Sequence, residues 1–183
     1  MPCRRRRSFV SLAALVALAL MGVLVALPAS ADPDHSAGDY FVFAKAAGDG
    51  STSDRTPGYW KNHRAATESL LPVSLGNYQV DTFARVQSVF KAMNCGSSKP
   101  QAVIGCLAGN LLAAKLNVKS GADPCINATI TKADDFLKGL TVNGVPGIVY
   151  TGPTDSYTTT AAQRALAIQL KNALDTYNNG GGC

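Results

Sequence analysis

The stretch PQAVIGCLAGNLLAAKLNV, residues 100–118, decides the fold class, because it is apolar on nearly every face of a helix. A helix of that kind is expected in the protein interior, where no face needs a polar side chain. The sequence therefore predicts that this helix is the buried centre of the fold. Its apolar members are Val103, Ile104, Cys106, Leu107, Leu111, Leu112, Ala113, Ala114 and Leu116.

Four further helices are predicted around this centre, at residues 57–71, 81–94, 124–137 and 156–178. Two of them begin with a polar cap followed by proline, Thr56-Pro57 and Asp123-Pro124, which is a typical helix start. Each has an apolar stripe at helical spacing. The stripes are Tyr59, His63, Ala66 and Leu70; Phe83, Val86, Phe90 and Met93; Ile126, Ile130, Ala133 and Leu137; and Ala162, Leu166, Leu170, Ala173 and Tyr177.

These patterns predict an all-α fold for residues 56–183, a compact disulfide-stapled bundle of about five helices. Residues 32–55 differ in kind, because the strand formers Tyr40-Phe41-Val42-Phe43 lie between polar and Gly/Ser-rich stretches. They are predicted to form an extended N-terminal segment and linker. Residues 40–43 then either dock on their own domain, for example as a small two-stranded ribbon with residues 145–150, or are donated to a sheet edge of a partner.

Residues 1–31 have the organisation of a secretory signal peptide. Arg4 to Arg7 precede an apolar run at residues 9–27, which ends in Pro28 and the small-residue site Ala29-Ser30-Ala31. Cleavage after Ala31 would release a soluble, extracellular protein with no further membrane contact. The run is close to the roughly 20 residues that cross a bilayer, so an uncleaved N-terminal anchor is the alternative.

Removal of the signal peptide changes the charge of the protein. It takes four of the 17 Lys and Arg residues and none of the 12 Asp and Glu residues, so the net charge falls from +5 to +1. No basic stripe remains for a nucleic acid to bind, and none is expected as a partner. The remaining chain is long enough for one domain with its own core.

Four cysteines remain after Cys3 leaves with the signal peptide, and an even number in an exported protein indicates disulfides. No C-x-x-C pair is present, so no metal site is predicted. Short connections make neighbouring helices antiparallel, which brings Cys95 close to Cys106. By the same reasoning the end of the last helix, at residue 178, returns to the start of the helix at residues 124–137. Cys125 is therefore predicted to pair with Cys183.

Three segments carry a resemblance to a known family. They are TPGYWKNH at residues 56–63, LAAKLN at residues 112–117 followed by Gly121-Ala122-Asp123, and LDTYNNG at residues 174–180 before Cys183. Together they resemble exported bacterial proteins recognised by their GYWKNH box, a family without an established function. Relatives often have Cys immediately before the box and Pro after its histidine, where this chain has Arg55 and Arg64. The resemblance therefore supports Cys125 as the substitute partner of Cys183.

The box has two interpretations. In the first it is a ligand-binding site for a carbohydrate, a cell-envelope polysaccharide or a protein partner. The aromatic rings would stack on sugars and the polar side chains would donate and accept hydrogen bonds. In the second it is a helix start, with Trp60 as a core anchor and His63 bonded to a backbone carbonyl. The candidate ligand-binding residues are Tyr59, Trp60, Lys61, Asn62 and His63.

Catalysis has little support in the sequence, and no catalytic residue or cofactor is predicted. A glycosidase would need Glu68 with an aspartate, or Asp134-Asp135 with another acid, and these adjacent aspartates are expected to face water. The sequence therefore predicts a secreted, non-catalytic protein of the cell envelope or extracellular matrix. The alternatives are a small secreted hydrolase that uses His63 as its acid or base, and a purely structural or assembly module.

Overall fold

The computed structural model describes residues 54–183. The predictions for the signal peptide, for residues 40–43 and for His35 lie outside these residues. The described helices are α1 (Pro57–Asn62), α2 (Arg64–Glu68), α3 (Phe83–Lys91), α4 (Pro100–Lys119), α5 (Asn127–Lys138) and α6 (Ala161–Asn178). The strands are β1 (Val73–Leu75), β2 (Tyr78–Val80), β3 (Leu140–Val142), β4 (Val145–Ile148) and β5 (Tyr157–Thr158), and a short 3₁₀-helix spans Pro124–Ile126.

Helix α4 is the centre of the fold, as the sequence predicted. Its side chains from Ala102 to Ala114 are all buried, and α1, α3, α5 and α6 pack around it. The helix is long and apolar enough to cross a membrane, and 83% of its most apolar window is buried inside the protein. The packing of α1, α3, α5 and α6 therefore accounts for its apolar composition.

The all-α prediction is wrong, because the structure contains two small antiparallel sheets. Strands β1 and β2 form a hairpin across Gly76-Asn77, and the second sheet has the order β4-β3-β5. Asn143 and Gly144, with φ of 51° and 83°, form the two-residue turn between β3 and β4. Each strand has only two to four residues, too few to show the alternation by which a strand is recognised in a sequence.

Two predicted helix boundaries are also wrong. The first predicted helix is divided at His63, whose φ of −104° and ψ of 75° separate α1 from α2. The last helix begins at Ala161 instead of residue 156, because Thr160 and Gln163 form a capping box at its N-terminus. The residues before that cap, Tyr157–Thr158, pair with β3 as strand β5.

The buried stripes follow the prediction on α5 and depart from it on α6. Ile126, Ile130, Ala133 and Leu137 are all buried, and Gly139 caps α5. On α6 the predicted Ala162, Leu166 and Ala173 are exposed. The predicted Leu170 and Tyr177 are buried, and Ala167 and Leu174 complete the buried stripe. Helix α6 carries apolar residues on two adjacent faces, and packing against α4 selects between them.

Both predicted disulfides are confirmed. Cys95 is bonded to Cys106 where the end of α3 meets α4, and Cys125 is bonded to Cys183. The close contact between the end of α3 and helix α4 needs a glycine at position 105, since a Cβ on Gly105 would lie 2.6 Å from the backbone oxygen of Ala92. Two disulfides fit a protein of an oxidising compartment.

Candidate functional site

The box forms α1 and the break that follows it. Thr56 caps the helix by accepting a hydrogen bond from the Tyr59 N–H, and Pro57 occupies the first turn. The single hydroxyl proton of Thr67 is shared between the carbonyl oxygens of Trp60, at 2.8 Å, and His63, at 3.0 Å. These bonds satisfy backbone acceptors around the break between the two helices.

Trp60 lies in the core, with none of its surface exposed. Its Nε1 donates to Asn117 Oδ1 at 2.9 Å, and Asn117 Nδ2 donates to Asn178 Oδ1 at 3.0 Å. Asn178 in turn donates to the backbone oxygen of Asn110 at 2.9 Å. Asn110, Asn117 and Asn178 are fully buried, so α1, α4 and α6 are joined by a buried amide network.

Each of the three segments behind the family resemblance supplies one member of this network. Trp60 comes from the box, Asn117 from LAAKLN and Asn178 from the C-terminal ending. In this conformation the indole therefore contacts the protein's own interior. Trp60 is thus a core anchor, buried and hydrogen-bonded to Asn117.

Tyr59 is enclosed in a stack of three side chains. The His63 ring is stacked on it at a centroid distance of 3.9 Å, and the Arg55 guanidinium lies over the ring at 4.4 Å. Both groups lie against the phenol ring, so a ligand that stacks on Tyr59 would have to compete with them.

Three consecutive residues of the box are exposed: Lys61, Asn62 and His63. Asn62 Nδ2 donates to the Gly58 carbonyl, and His63 Nδ1 lies 2.9 Å from the Tyr59 carbonyl. Lys61 makes no ion pair with any residue in the described part of the chain. Its ammonium is therefore available to an external anion.

Around His63 the described residues form no catalytic arrangement. The imidazole ring contacts the Tyr59 ring and the Tyr59 carbonyl. Within residues 54–183 no carboxylate or hydroxyl hydrogen-bonds to a ring nitrogen of His63. Glu68 is paired with Arg64 at 3.0 Å. In the same residues no three His, Cys, Asp or Glu side chains come together as a potential metal site.

The adjacent aspartates of α5 have separate structural roles. Asp135 pairs with Lys138 on the surface at 2.9 Å, as expected for a residue that faces water. Asp134 is only 18% exposed, forms an ion pair with Lys115 of α4 and accepts the Gly76 N–H at 2.9 Å. The expectation that both aspartates face water is therefore wrong for Asp134, which holds the β1–β2 hairpin to α4 and α5.

A groove of about 480 Å³ lies beside the box, between α2 and α3. Arg64, Glu68, Asp81 and Phe83 line it, and Arg64 lies 5.6 Å above the Phe83 ring. Both acids are paired with arginine, Glu68 with Arg64 and Asp81 with Arg85, each at 3.0 Å. Each acid is therefore held in an ion pair with a neighbouring arginine on the wall of the groove.

A second surface was not predicted from the sequence. Tyr78, Tyr150 and Tyr157 form an aromatic cluster around Tyr150. The Tyr78 ring is at right angles to the Tyr150 ring, and the Tyr157 ring is stacked on the Tyr150 ring. Burial raises the pKa of Tyr150 and of Tyr157. The turn residues at 76–77 and 143–144 are the one sequence signal for this surface, because they mark the hairpins that carry it.

Comparisons with protein family models, with curated proteins and with solved structures find no match to this chain.

Proposed function

We propose that this protein is an exported, non-catalytic component of the cell envelope or extracellular matrix that binds an anionic cell-surface polymer through the box surface. The box surface consists of Lys61, Asn62 and His63 with the flanking Arg55 and Arg64. The observation that carries the proposal is the exposure of Lys61, Asn62 and His63 directly after Trp60, which is fixed in the core. A rigid helix that presents polar side chains loses little conformational entropy on binding.

The charges of the box surface favour an anionic ligand. Arg55, Lys61 and Arg64 are basic, and Glu68 is the acid that is paired with this group. Arg55 is held over Tyr59 and Trp60, so its position is largely set before a ligand arrives. Acidic polymers of cell surfaces have the complementary charge.

Export is supported by two independent features. The N-terminal residues have the pattern of a signal peptide, and the two disulfides require an oxidising compartment to persist. A non-catalytic role is supported by the surroundings of His63, which bonds a backbone carbonyl and stacks on Tyr59.

The test is co-sedimentation of the oxidised protein, recovered from the medium of an exporting bacterial host, with purified bacterial envelope. We expect the wild-type protein to pellet at low ionic strength and Lys61→Glu to pellet several-fold less. Lys132→Glu is the matched control, since Lys132 is also exposed and lies on α5. Circular dichroism establishes that both variants are folded.

Salt provides a second readout. Screening shortens the range of exposed charges from about 30 Å at 0.01 M to about 3 Å at 1 M salt, so binding should weaken as salt is added. Equal pelleting of Lys61→Glu and Lys132→Glu would overturn the box surface as the binding site. Envelope degradation by the wild-type protein, lost in His63→Ala, would overturn the non-catalytic role.

A further inference from the structure

A groove of about 350 Å³ lies between the β1–β2 hairpin and residues 149–151. We call it the tyrosine groove; the lining residues that matter here are Asn77, Tyr78, Gln79, Arg85 and Tyr150. None of them belongs to the box surface. Its size is within the range of small-molecule sites, which combine aromatic walls with a few orienting polar groups.

The aromatic wall is held in place by its neighbours. The Tyr78 ring packs against Gly152, where an added Cβ would lie 3.1 Å from the ring. Tyr150 meets Tyr78 edge to face at 5.5 Å. The Tyr157 hydroxyl donates to the Gly152 carbonyl and also binds the Thr151 N–H, which fixes the loop beneath Tyr78. The half-buried Tyr78 is therefore a fixed ring at the edge of the groove.

The polar groups of the groove have unused hydrogen-bonding capacity. The side-chain amides of Asn77 and Gln79 are exposed and make no hydrogen bond within residues 54–183. Each amide can donate and accept at once, as a pair of neighbouring sugar hydroxyls requires. The buried hydroxyl of Tyr150 also has no partner among the described residues. Buried polar groups are normally paired, so this hydroxyl retains unused hydrogen-bonding capacity at the groove.

The groove as a whole is close to electrically neutral. Arg85 Nη1 donates to Asp81 at 3.0 Å and to the Gln79 carbonyl at 3.0 Å, and its guanidinium lies 5.8 Å from the Tyr78 ring centre. The positive charge of Arg85 is thus compensated by Asp81. A ligand with its own charge gains little from such a pair.

From this geometry we propose that the tyrosine groove binds a neutral saccharide. A sugar ring has an apolar C–H face and a rim of hydroxyls, which matches a fixed aromatic ring and two amide residues that line the same groove. The C–H face lies on Tyr78, and the hydroxyls bond Asn77 and Gln79. This inference does not rest on the proposed function, because the site, its charge and its residues are different.

The experiment is saturation-transfer NMR of the full exported protein with neutral hexasaccharides of β-linked glucose, N-acetylglucosamine and mannose. We expect the C–H protons of at least one of them to receive saturation. Gln79→Ala removes one neutral hydrogen bond and should weaken that binding about fivefold. Tyr78→Ala removes the stacking ring and should weaken it about tenfold, whereas Tyr78→Phe should retain it.

Gln87→Ala is the matched control, because Gln87 is an exposed glutamine of α3 that lines the groove between α2 and α3. It should bind like the wild-type protein, and so should Lys61→Glu. Binding should also survive added salt, unlike binding at the box surface. The proposal is overturned if no hexasaccharide receives saturation, or if the folded Gln79→Ala binds as strongly as Gln87→Ala.

Discussion

The indole Nε1 of Trp60 donates a 2.9 Å hydrogen bond to the side-chain oxygen of Asn117, 57 positions further along the chain. The same oxygen accepts the Arg55 N–H at 2.9 Å, and Asn117 Nδ2 donates to the Arg55 carbonyl and to Asn178 Oδ1, each at 3.0 Å. The side-chain amide thus makes two bonds as acceptor and two as donor. One residue of α4 therefore holds the box, the chain before it and α6.

Asn117→Asp should strongly destabilise the fold. A carboxylate cannot donate to Arg55 or Asn178, and it would bury a charge beside their two oxygens. The expected loss is about 3 kcal/mol or more of the free energy of unfolding, measured by urea denaturation of the oxidised protein. Asn172→Asp, on the exposed face of α6, is the matched control and should stay within about 0.5 kcal/mol of wild type. Similar values for the two variants would contradict the role of the network.

The two glycines inside α4 should respond differently to alanine. At Gly105 the added Cβ meets the Ala92 backbone oxygen at 2.6 Å, so α3 and α4 must separate. At Gly109 it meets the side chain of Met93, which is flexible and can move. We expect Gly105→Ala to lose about 2 kcal/mol and Gly109→Ala distinctly less, since alanine also gains helix propensity. A larger loss at Gly109 in thermal or urea unfolding would contradict this contact geometry.

Removal of the Cys125–Cys183 disulfide should cost about 4 kcal/mol, because its partners are 58 residues apart and the unfolded chain would gain that freedom. The double variant Cys125→Ser with Cys183→Ser isolates this effect, since both residues are exposed and leave no cavity. Urea unfolding measures the loss. A reducing agent should then destabilise the variant less than the wild-type protein, which has two disulfides to lose. Equal effects of the reducing agent would be the contrary result.

Stability should fall at alkaline pH. Burial, together with the nearby Asp54 carboxylate, raises the pKa of Tyr177 from 10.0 to about 12, so the folded state holds the neutral phenol. The unfolded chain releases this proton near pH 10. The neutral Tyr177 therefore makes its full contribution to the free energy of unfolding below about pH 10, and this contribution is lost as the pH rises towards 12. Burial also raises the pKa of Tyr157, which adds to the loss in the same direction.

Urea midpoints at a series of pH values measure this loss. Tyr177→Phe should be less stable at neutral pH, because it loses the 2.7 Å hydrogen bond to the Asp123 carbonyl. It should also lose less stability across the alkaline window than the wild-type protein does. A midpoint that stays constant from pH 10 to 12 in the wild-type protein would argue against a neutral, buried Tyr177.

The sequence predicted those parts of the fold that rest on strong, local patterns. Helix α4 was recognisable because its apolar residues surround the whole axis, and Cys95–Cys106 followed from the short connection before it. Residues 145–150 were named as a possible ribbon strand, and β4 lies there, but the two sheets were not predicted because their strands are too short to show a period. The stripe of α6 was predicted correctly at Leu170 and Tyr177 and wrongly at its other three positions, since the sequence allows two adjacent stripes and only the packing against α4 decides between them.

The candidate sites were predicted less well, for a related reason. The pattern of the box identified residues 56–63 but not which of them would be buried. Asn117 and Asn178, the partners that hold Trp60 inside, are distant in the sequence. The tyrosine groove joins Tyr78 to Tyr150, which two separate hairpins bring together. Contacts between distant segments have no local signal, so neither arrangement could be predicted.

The amide of Asn117 also has an evolutionary consequence. A substitution of Trp60 in the box, of Asn117 near the end of α4 or of Asn178 at the end of α6 leaves a buried polar group of the network without its partner. Descendants of this chain should therefore keep Trp60, Asn117 and Asn178 together or replace them together. These three residues should be retained even where the ligand differs between descendants, because they are needed for folding. The surface residues are free to change.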